Sequence, residues 1–251
     1  MLSVVLTMAA VGLLLGFVGA GGSGFIISIL TVVFGFPIQT AIGTALAAMV
    51  FSSMAGAVSH YREGNAVLKT GIAAGSIGAI GAWLGSAYAS VVPAEQLIMM
   101  TAGMLVVSGL ALWLRMYVAA RKAASSDTLP AAGGWTFWIW TCCIGIVTGT
   151  LSGMFGIGST PFIQLGLMSL LGMPARLAAG TTMLVIVPIA LGGGAGYYDL
   201  GYMDVPLTVQ VTAGVMFGSY VGAKFTRRVR PLHLQTAMVI VPITGGAILL
   251  L

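Results

Sequence analysis

Two glycine-rich stretches carry the polar residues of this chain that are best suited to bind a ligand. The first reads Gly-Ala-Gly-Gly-Ser-Gly around Ser23, and the second reads Gly-Ile-Gly-Ser-Thr-Pro around Ser159 and Thr160. A short helical arm is expected after each stretch, with the three hydroxyl residues as N-caps and Pro161 at a first helical position. The free N–H groups and the positive dipole end of a helix attract anions. Two such arms whose N-termini meet would therefore form an anion site without any charged side chain.

Several other polar residues are candidates for the same site. Thr44 and Thr181 share an Ala-x-Gly-Thr motif, and each hydroxyl either bonds its own helix backbone or donates to the substrate. Gln164 lies one turn past the second stretch and could turn its amide into a cavity. Gln39 and Arg176 are gating candidates, although Arg176 also fits a cytoplasmic anchor.

The sequence predicts no catalytic residue, no metal ligand and no cofactor. The predicted substrate-binding residues are Gly21, Gly22, Ser23, Gly24, Thr44, Gly158, Ser159, Thr160, Pro161, Gln164 and Thr181.

The composition places these residues in a lipid bilayer. The 251-residue chain is 59% hydrophobic and only 6% charged, whereas soluble domains carry about 25% charged residues. This arithmetic excludes soluble enzymes, nucleic-acid-binding proteins and disulfide scaffolds, and it indicates an all-α integral membrane protein. Eight apolar segments are predicted, at residues 2–34, 38–59, 67–91, 95–117, 136–171, 175–197, 204–224 and 231–251.

The first and fifth segments differ from the others in length. Each exceeds 30 residues, although about 20 residues suffice to span the hydrocarbon core of a bilayer. Each also contains one of the two glycine-rich stretches. We therefore expect both segments to be broken, re-entrant helical hairpins, because non-helical chain at membrane depth must be buried or line a polar cavity.

The chain repeats itself after 137 positions. The halves align without a gap from Gly12 to Gly85, and the run Gly-x-Pro followed by Ala-x-Gly-Thr recurs in one register. This divides the chain into a first transmembrane repeat at 1–117, a linker at 118–135 and a second transmembrane repeat at 136–251. Each repeat contains four apolar segments.

The charges predict that the two repeats are inverted. The loop around Arg62 and Lys69 is basic, whereas the equivalent loop of the second half carries Asp199 and Asp204. Because basic loops face the cytoplasm, equivalent loops are expected on opposite sides of the membrane. With hairpins in both first segments, the linker and all ten basic residues fall inside, and both termini fall outside.

At these motifs the chain resembles the TauE/SafE sulfite exporter family of membrane transporters. The stretches that carry the resemblance are GFVGAGGSGF and GMFGIGSTPF, then GFPIQTAIGT and GMPARLAAGT, and later GYYDLGYMDV. The resemblance implies a multi-pass protein of the prokaryotic plasma (inner) membrane. It also implies export of a small sulfur-containing anion such as sulfite, sulfoacetate or a related organosulfonate, driven by an ion gradient. Residues 21–24 and 158–161 match the family's repeated motif and are the implied substrate contacts.

The leading functional hypothesis is a secondary transporter that works by alternating access of the two repeats. The sequence contains no Gly-x-x-x-x-Gly-Lys-Ser/Thr motif, which excludes ATP drive within this chain. A co-transported proton or sodium ion stays open, as does the oligomeric state. The alternatives are a passive small-anion channel, a transporter of another small oxyanion or carboxylate, and a structural subunit of a larger complex.

Overall fold

Helices make up most of the protein. The computed structural model describes residues 2–18, 23–122, 134–157, 159–226 and 231–250, and these residues contain no strand. A π-helical turn, Ile29–Val33, continues the second helix. The helices of the described residues are α1 Leu2–Val18, α2 Ser23–Ser28, α3 Ile38–Arg62, α4 Leu68–Val91, α5 Ala94–Lys122, α6 Trp135–Phe155, α7 Thr160–Ser169, α8 Ala175–Asp199, α9 Val205–Thr226 and α10 Pro231–Leu249.

The lengths and surfaces of these helices fit a multi-pass membrane protein. Ile80, Val209 and Phe217 are more than 60% exposed, as lipid-facing side chains are. Five helical stretches are long and apolar enough to cross a membrane: Ile38–Arg62, Leu68–Val91, Ala94–Leu114, Trp135–Phe155 and Arg176–Asp199.

The predicted segments match the helices closely, with one informative difference. The fifth apolar segment is interrupted as expected, because α6 ends at Phe155 and α7 begins at Thr160. In contrast, α5 extends to Lys122 and so takes in the first residues of the predicted linker 118–135. Three basic residues, Arg115, Arg121 and Lys122, belong to this last part of the helix.

The same turn connects α3 to α4 and α8 to α9. Gly64 and Gly201, 137 positions apart, have φ values of 71° and 76°, which only glycine adopts without strain. The Gly64 N–H donates to Tyr61 O at 3.0 Å, and the Gly201 N–H donates to Tyr198 O at the same distance. The duplicated sequence therefore folds into duplicated backbone geometry at these two places.

Close glycine contacts join helices of one half to helices of the other. Gly149 of α6 lies against the backbone of Gly78 in α4, and Gly12 of α1 lies against the backbone of Val215 in α9. These two contacts are themselves related by the 137-residue shift. Farther along each pair the contacting residue numbers rise together, so α4 runs parallel to α6 and α1 runs parallel to α9. Backbones approach this closely because glycine has no side chain to separate them.

Equivalent helices of the two halves also contact each other. In the α3–α8 pair, Gly43 lies against Tyr197 and Gly180 lies against His60. As the residue numbers rise along α3 they fall along α8, so these two helices run antiparallel. The α5–α10 pair is antiparallel by the same criterion, since Gly109 lies beside Ile243 and Gly246 lies closest to Ala102.

Candidate functional site

The second glycine-rich stretch forms a sharp break between α6 and α7. Gly156 ends α6 in the left-handed conformation at φ 67°, and its N–H donates to Ser152 O at 2.7 Å. Ser159 is also left-handed, at φ 46°. This conformation is uncommon for a residue with a side chain and is typical of functional sites. Gly158 lies outside the described residues.

The break is buried against the other half of the protein. A Cβ at Gly156 would lie 2.7 Å from Ile42 Cγ2 in α3 and 2.8 Å from Ile27 Cδ1 in α2. Ile27 is four residues beyond Ser23, so the second break lies one turn along the first arm. Phe155 and Ile157 belong to the same buried apolar cluster. The break is thus enclosed by packing, as non-helical chain at membrane depth must be.

The first arm begins at Ser23, directly after the first glycine-rich stretch, of which Gly21 and Gly22 lie outside the described residues. Gly24 packs against the side chain of Leu105 in α5. The Ser28 hydroxyl lies 2.7 Å from Gly245 O in α10 and 2.9 Å from Gly24 O. These contacts fix the arm between α5 and α10.

The first residue of each arm carries a buried hydroxyl. Ser23 and Thr160 are 137 positions apart and are 2% and 1% exposed, respectively. Neither hydroxyl has a hydrogen-bond partner among the described residues. The Oε1 atom of Gln164, one turn after Thr160, is also buried without a described partner. Leaving a buried polar group unpaired costs about 1–3 kcal/mol, which makes these atoms candidate contacts for a ligand.

The predicted capping does not form at the second arm. Ser159 occupies the N-cap position of α7, but its side chain makes no capping hydrogen bond, so that expectation was wrong. The left-handed backbone of Ser159 replaces the extended conformation that a capping serine needs. Pro161 does lie in the first turn of α7, as predicted.

Other buried hydroxyls serve their own helices. Ser53 donates to Met49 O at 2.6 Å, Thr148 donates to Ile144 O at 2.6 Å, and Thr182 donates to Ala178 O at 2.7 Å. These bonds satisfy the hydroxyl groups locally and leave them unavailable to a ligand. The hydroxyls at the two arms are not engaged in this way, and neither are those of Thr70, Thr101, Thr141 and Thr212 elsewhere in the described residues.

The two motif threonines differ in their bonding. Thr181 Oγ1 accepts a hydrogen bond from the Val67 N–H at 3.0 Å and so supports the start of α4. Thr44 is fully buried, and its hydroxyl has no partner among the described residues. The two equivalent threonines thus differ: the Thr181 hydroxyl is engaged with the backbone, and the Thr44 hydroxyl has no partner among the described residues.

The gating candidates occupy equivalent positions with different exposure. Gln39 is the second residue of α3 and is 8% exposed, whereas Arg176 is the second residue of α8 and is exposed. Arg176 therefore reaches the surface, where a charged side chain is solvated.

Sequence reasoning did not identify two further buried polar residues near the second break. Ser152 and Tyr197 are fully buried, and neither hydroxyl has a partner among the described residues. Tyr197 lies 137 positions after His60, so the repeat register could have drawn attention to it. Ser152 corresponds to Leu15 in the repeat, and no sequence signal identifies it.

An apolar cleft of about 290 Å³ opens between α3 and α8. It contains none of the predicted site residues. Such an apolar lining fits contact with lipid better than binding of an anion. The lining residues are Ala47, Val50, Phe51, Ala190, Leu191, Gly194, Ala195, Tyr198 and Met203.

Apolar membrane-length helices around a buried, broken helix indicate a multi-pass membrane protein. The chain belongs to the sulfite exporter TauE/SafE family, whose profile matches residues 4–249. It is 44% identical over 247 residues to the probable membrane transporter protein YdhB of Bacillus subtilis, covering 98% of this chain and 99% of that one. It is 26% identical over 219 residues to a probable membrane transporter protein of Xylella fastidiosa, covering 87% and 82% of the two chains. No solved structure matches the chain.

Proposed function

We propose that this protein is a secondary transporter of the prokaryotic plasma (inner) membrane that exports a small sulfur-containing anion. Sulfite, sulfoacetate and related organosulfonates are the substrate class, and an ion gradient drives the export. The family's description as a sulfite exporter supports the substrate class. The relatives described as probable membrane transporters support the transport function.

The observation that carries the proposal is the pair of buried, unpartnered hydroxyls of Ser23 and Thr160, each the first residue of a helical arm. An anion beside α7 would accept hydrogen bonds from the Thr160 hydroxyl and from the free N–H groups of the first turn. The helix dipole adds attraction there without a buried cation. A fixed arginine at the membrane centre would cost at least about 2.5–3.5 kcal/mol.

The transport mechanism that we propose is alternating access of two inverted repeats. The antiparallel arrangement of α3 with α8 and of α5 with α10 supports this mechanism, because these helices are equivalent in the repeat. Since α8 runs parallel to α4 and antiparallel to α3, the chain reverses direction between α3 and α4, and we infer the same reversal at the equivalent turn between α8 and α9 and at the other short loops. With α1 parallel to α9, the α2 arm must then return to the side from which α1 entered, as a re-entrant hairpin does.

With the positive-inside rule, this proposed arrangement also predicts which ends of the helices face each side of the membrane. One side of the membrane receives the turn after α3, the ends of α5 and α9, and the start of α8. The basic residues Arg62, Lys122 and Arg176 lie at these positions. Glu95 and Asp204 fall on the other side, with both termini. By the positive-inside rule the basic side is cytoplasmic, so both termini are external.

Purified protein in liposomes tests the proposal. Vesicles are loaded with sulfite, sulfoacetate, thiosulfate, sulfate or acetate, and efflux is followed under imposed pH, sodium and voltage gradients. We expect saturable efflux and counterflow of at least one sulfur-containing anion, accelerated by one of the gradients. Flux without counterflow would favour a channel, and efflux of acetate alone would overturn the substrate class.

Two variants connect the flux to the site. Thr160→Val and Ser23→Ala each remove a hydroxyl that has no described partner. Losing one hydrogen bond to an anion is worth roughly a tenfold change in affinity or more, so both variants should raise the KM for the substrate by that factor. Ser53→Ala is the matched control, because the Ser53 hydroxyl is engaged with Met49 O of its own helix. Equal KM values for all three variants and the wild-type chain would place the site elsewhere.

A further inference from the structure

The α3–α8 interface contains two equivalent crossings at its opposite ends. A Cβ at Gly43 would lie 2.8 Å from Tyr197 Cβ, and a Cβ at Gly180 would lie 2.9 Å from His60 Cβ. In the 137-residue repeat, Gly43 corresponds to Gly180 and Tyr197 corresponds to His60, so the two contacts are equivalent. Because α3 and α8 run antiparallel, Tyr197 lies near the start of α3 and His60 near the start of α8. Glycine at both crossings lets these two rings pass close to the neighbouring backbone.

Each crossing holds a buried polar atom without a described partner. Tyr197 has no exposed surface, and its hydroxyl is unpartnered within the described residues. At the other end the Nδ1 atom of His60 is likewise buried and unpartnered. Each unpaired group costs about 1–3 kcal/mol. Other buried hydroxyls, such as those of Thr70 and Thr101, are unpartnered as well, and what distinguishes Tyr197 and His60 is that they are equivalent in the repeat and occupy opposite ends of one helix pair.

The Tyr197 crossing is continuous with the second break. Tyr197 belongs to the same buried cluster as Ile42, Phe155 and Ile157, which surround that break. Thr44, with its own unpartnered hydroxyl, directly follows Gly43 at the crossing. A small anion at the break would therefore be near further hydroxyl donors on the side where α3 begins.

We infer that Tyr197 and His60 are substrate-contact residues at the external and cytoplasmic ends of the transporter, each at one end of the α3–α8 pair. The Tyr197 hydroxyl donates to the anion at the external end, and the His60 imidazole N–H donates to it at the cytoplasmic end. Charge-assisted hydrogen bonds of this kind are short and strong. The inference rests on the proposed function, because it deepens the assignment of that transporter's path and names its end contacts.

The test measures KM separately from each side of the membrane. Tyr197→Phe removes the hydroxyl and keeps the ring that packs against Gly43. Tyr198→Phe is the matched control, because Tyr198 is the next residue and is 60% exposed. In right-side-out and inside-out vesicles, we expect Tyr197→Phe to raise the KM for externally supplied sulfite about tenfold. Its cytoplasmic KM and its kcat should change less, and Tyr198→Phe should match the wild-type chain.

His60→Phe makes the reciprocal test. It keeps a ring beside Gly180, and it should raise the KM for sulfite supplied from the cytoplasmic side. The control is Tyr61→Phe, because Tyr61 is the neighbouring residue and is exposed. A change in KM on the same side for both Tyr197→Phe and His60→Phe would overturn the assignment of two ends.

Thermal unfolding in detergent separates a path residue from a structural one. Because the Tyr197 hydroxyl has no described partner, Tyr197→Phe should keep or raise the Tm. A fall in Tm together with a lower kcat and an unchanged KM would mean that the hydroxyl supports the fold, and it would overturn the inference. Wild-type kinetics in Tyr197→Phe would overturn the inference alone. A wild-type chain that moves none of the anions would overturn the proposed function as well.

Discussion

Valine substitution of the two motif threonines separates a structural hydroxyl from one that is open to a ligand. Thr181 Oγ1 accepts a hydrogen bond from the Val67 N–H at 3.0 Å, and the equivalent Thr44 hydroxyl has no partner among the described residues. Valine has nearly the shape of threonine but lacks the oxygen. Thr181→Val therefore leaves the Val67 N–H without an acceptor, and Thr44→Val removes a group that was unpaired.

The expected effects on stability have opposite signs. Losing the partner of a buried N–H costs about 1–3 kcal/mol, and the lower end applies because the bond to Val67 is only partly buried. About 1 kcal/mol corresponds to a Tm shift of roughly 2–4 °C for a chain of this size. Thr181→Val should therefore lower the Tm by a few degrees, and Thr44→Val should leave it unchanged or raise it.

Thermal unfolding in detergent, followed by tryptophan fluorescence, measures both shifts. Thr181→Ser is the control, because serine keeps the acceptor oxygen, and it should stay closer to the wild-type Tm than valine does. Transport assays on the same proteins should show a raised KM for Thr44→Val. Equal losses of Tm in both valine variants would refute the reasoning, since they would show that the Thr44 hydroxyl also supports the fold.

Two further substitutions probe the packing and the gating residue. A Cβ at Gly149 would clash with the backbone carbonyl of Gly78, whose Cα is also only 2.7 Å away, so Gly149→Ala must push α4 and α6 apart. The Gly149→Ala substitution should destabilise the protein by about 1–3 kcal/mol. Gly103→Ala is the control, because nothing lies within 4 Å of its added Cβ, and it should stabilise the protein by up to about 1 kcal/mol. Thermal unfolding measures both effects, and equal Tm values would contradict the packing argument. Arg176→Ala should raise the KM for cytoplasmic anions severalfold without abolishing transport, and unchanged kinetics in inside-out vesicles would leave Arg176 as a topological anchor only.

The fold was predictable from sequence where a single residue type limits the backbone. The break after Phe155 follows from a run that is too apolar and too long to be one straight span, and that contains clustered glycines. The turn at Gly64 and its counterpart at Gly201 follow from the repeat, because both need a positive φ. Close helix approach at Gly149 follows from its spacing with a second glycine four residues later.

The site was less predictable because it depends on which polar atoms find partners. The residue types at 159 and 160 suggested capping, but capping needs an extended backbone at Ser159, and the tight break imposes φ 46° instead. The different bonding of Thr44 and Thr181 depends on where the Val67 N–H lies after folding. Tyr197 is buried because Gly43 of a helix distant in sequence leaves room for it. The sequence around Tyr197 contains no local pattern that predicts its contact with Gly43.

The two halves agree in backbone contacts and differ in the polar side chains near the breaks. The Gly12–Val215 and Gly149–Gly78 contacts are related by the repeat, so the frame of each half offers similar packing to the other. Gln164, however, corresponds to Ile27 of the first half. Under alternating access, similar frames keep the outward-facing and inward-facing states close in energy, as transport requires. Under that proposed mechanism, we expect the unmatched Gln164 amide to give the substrate a preference between the two states that the shared frame does not supply.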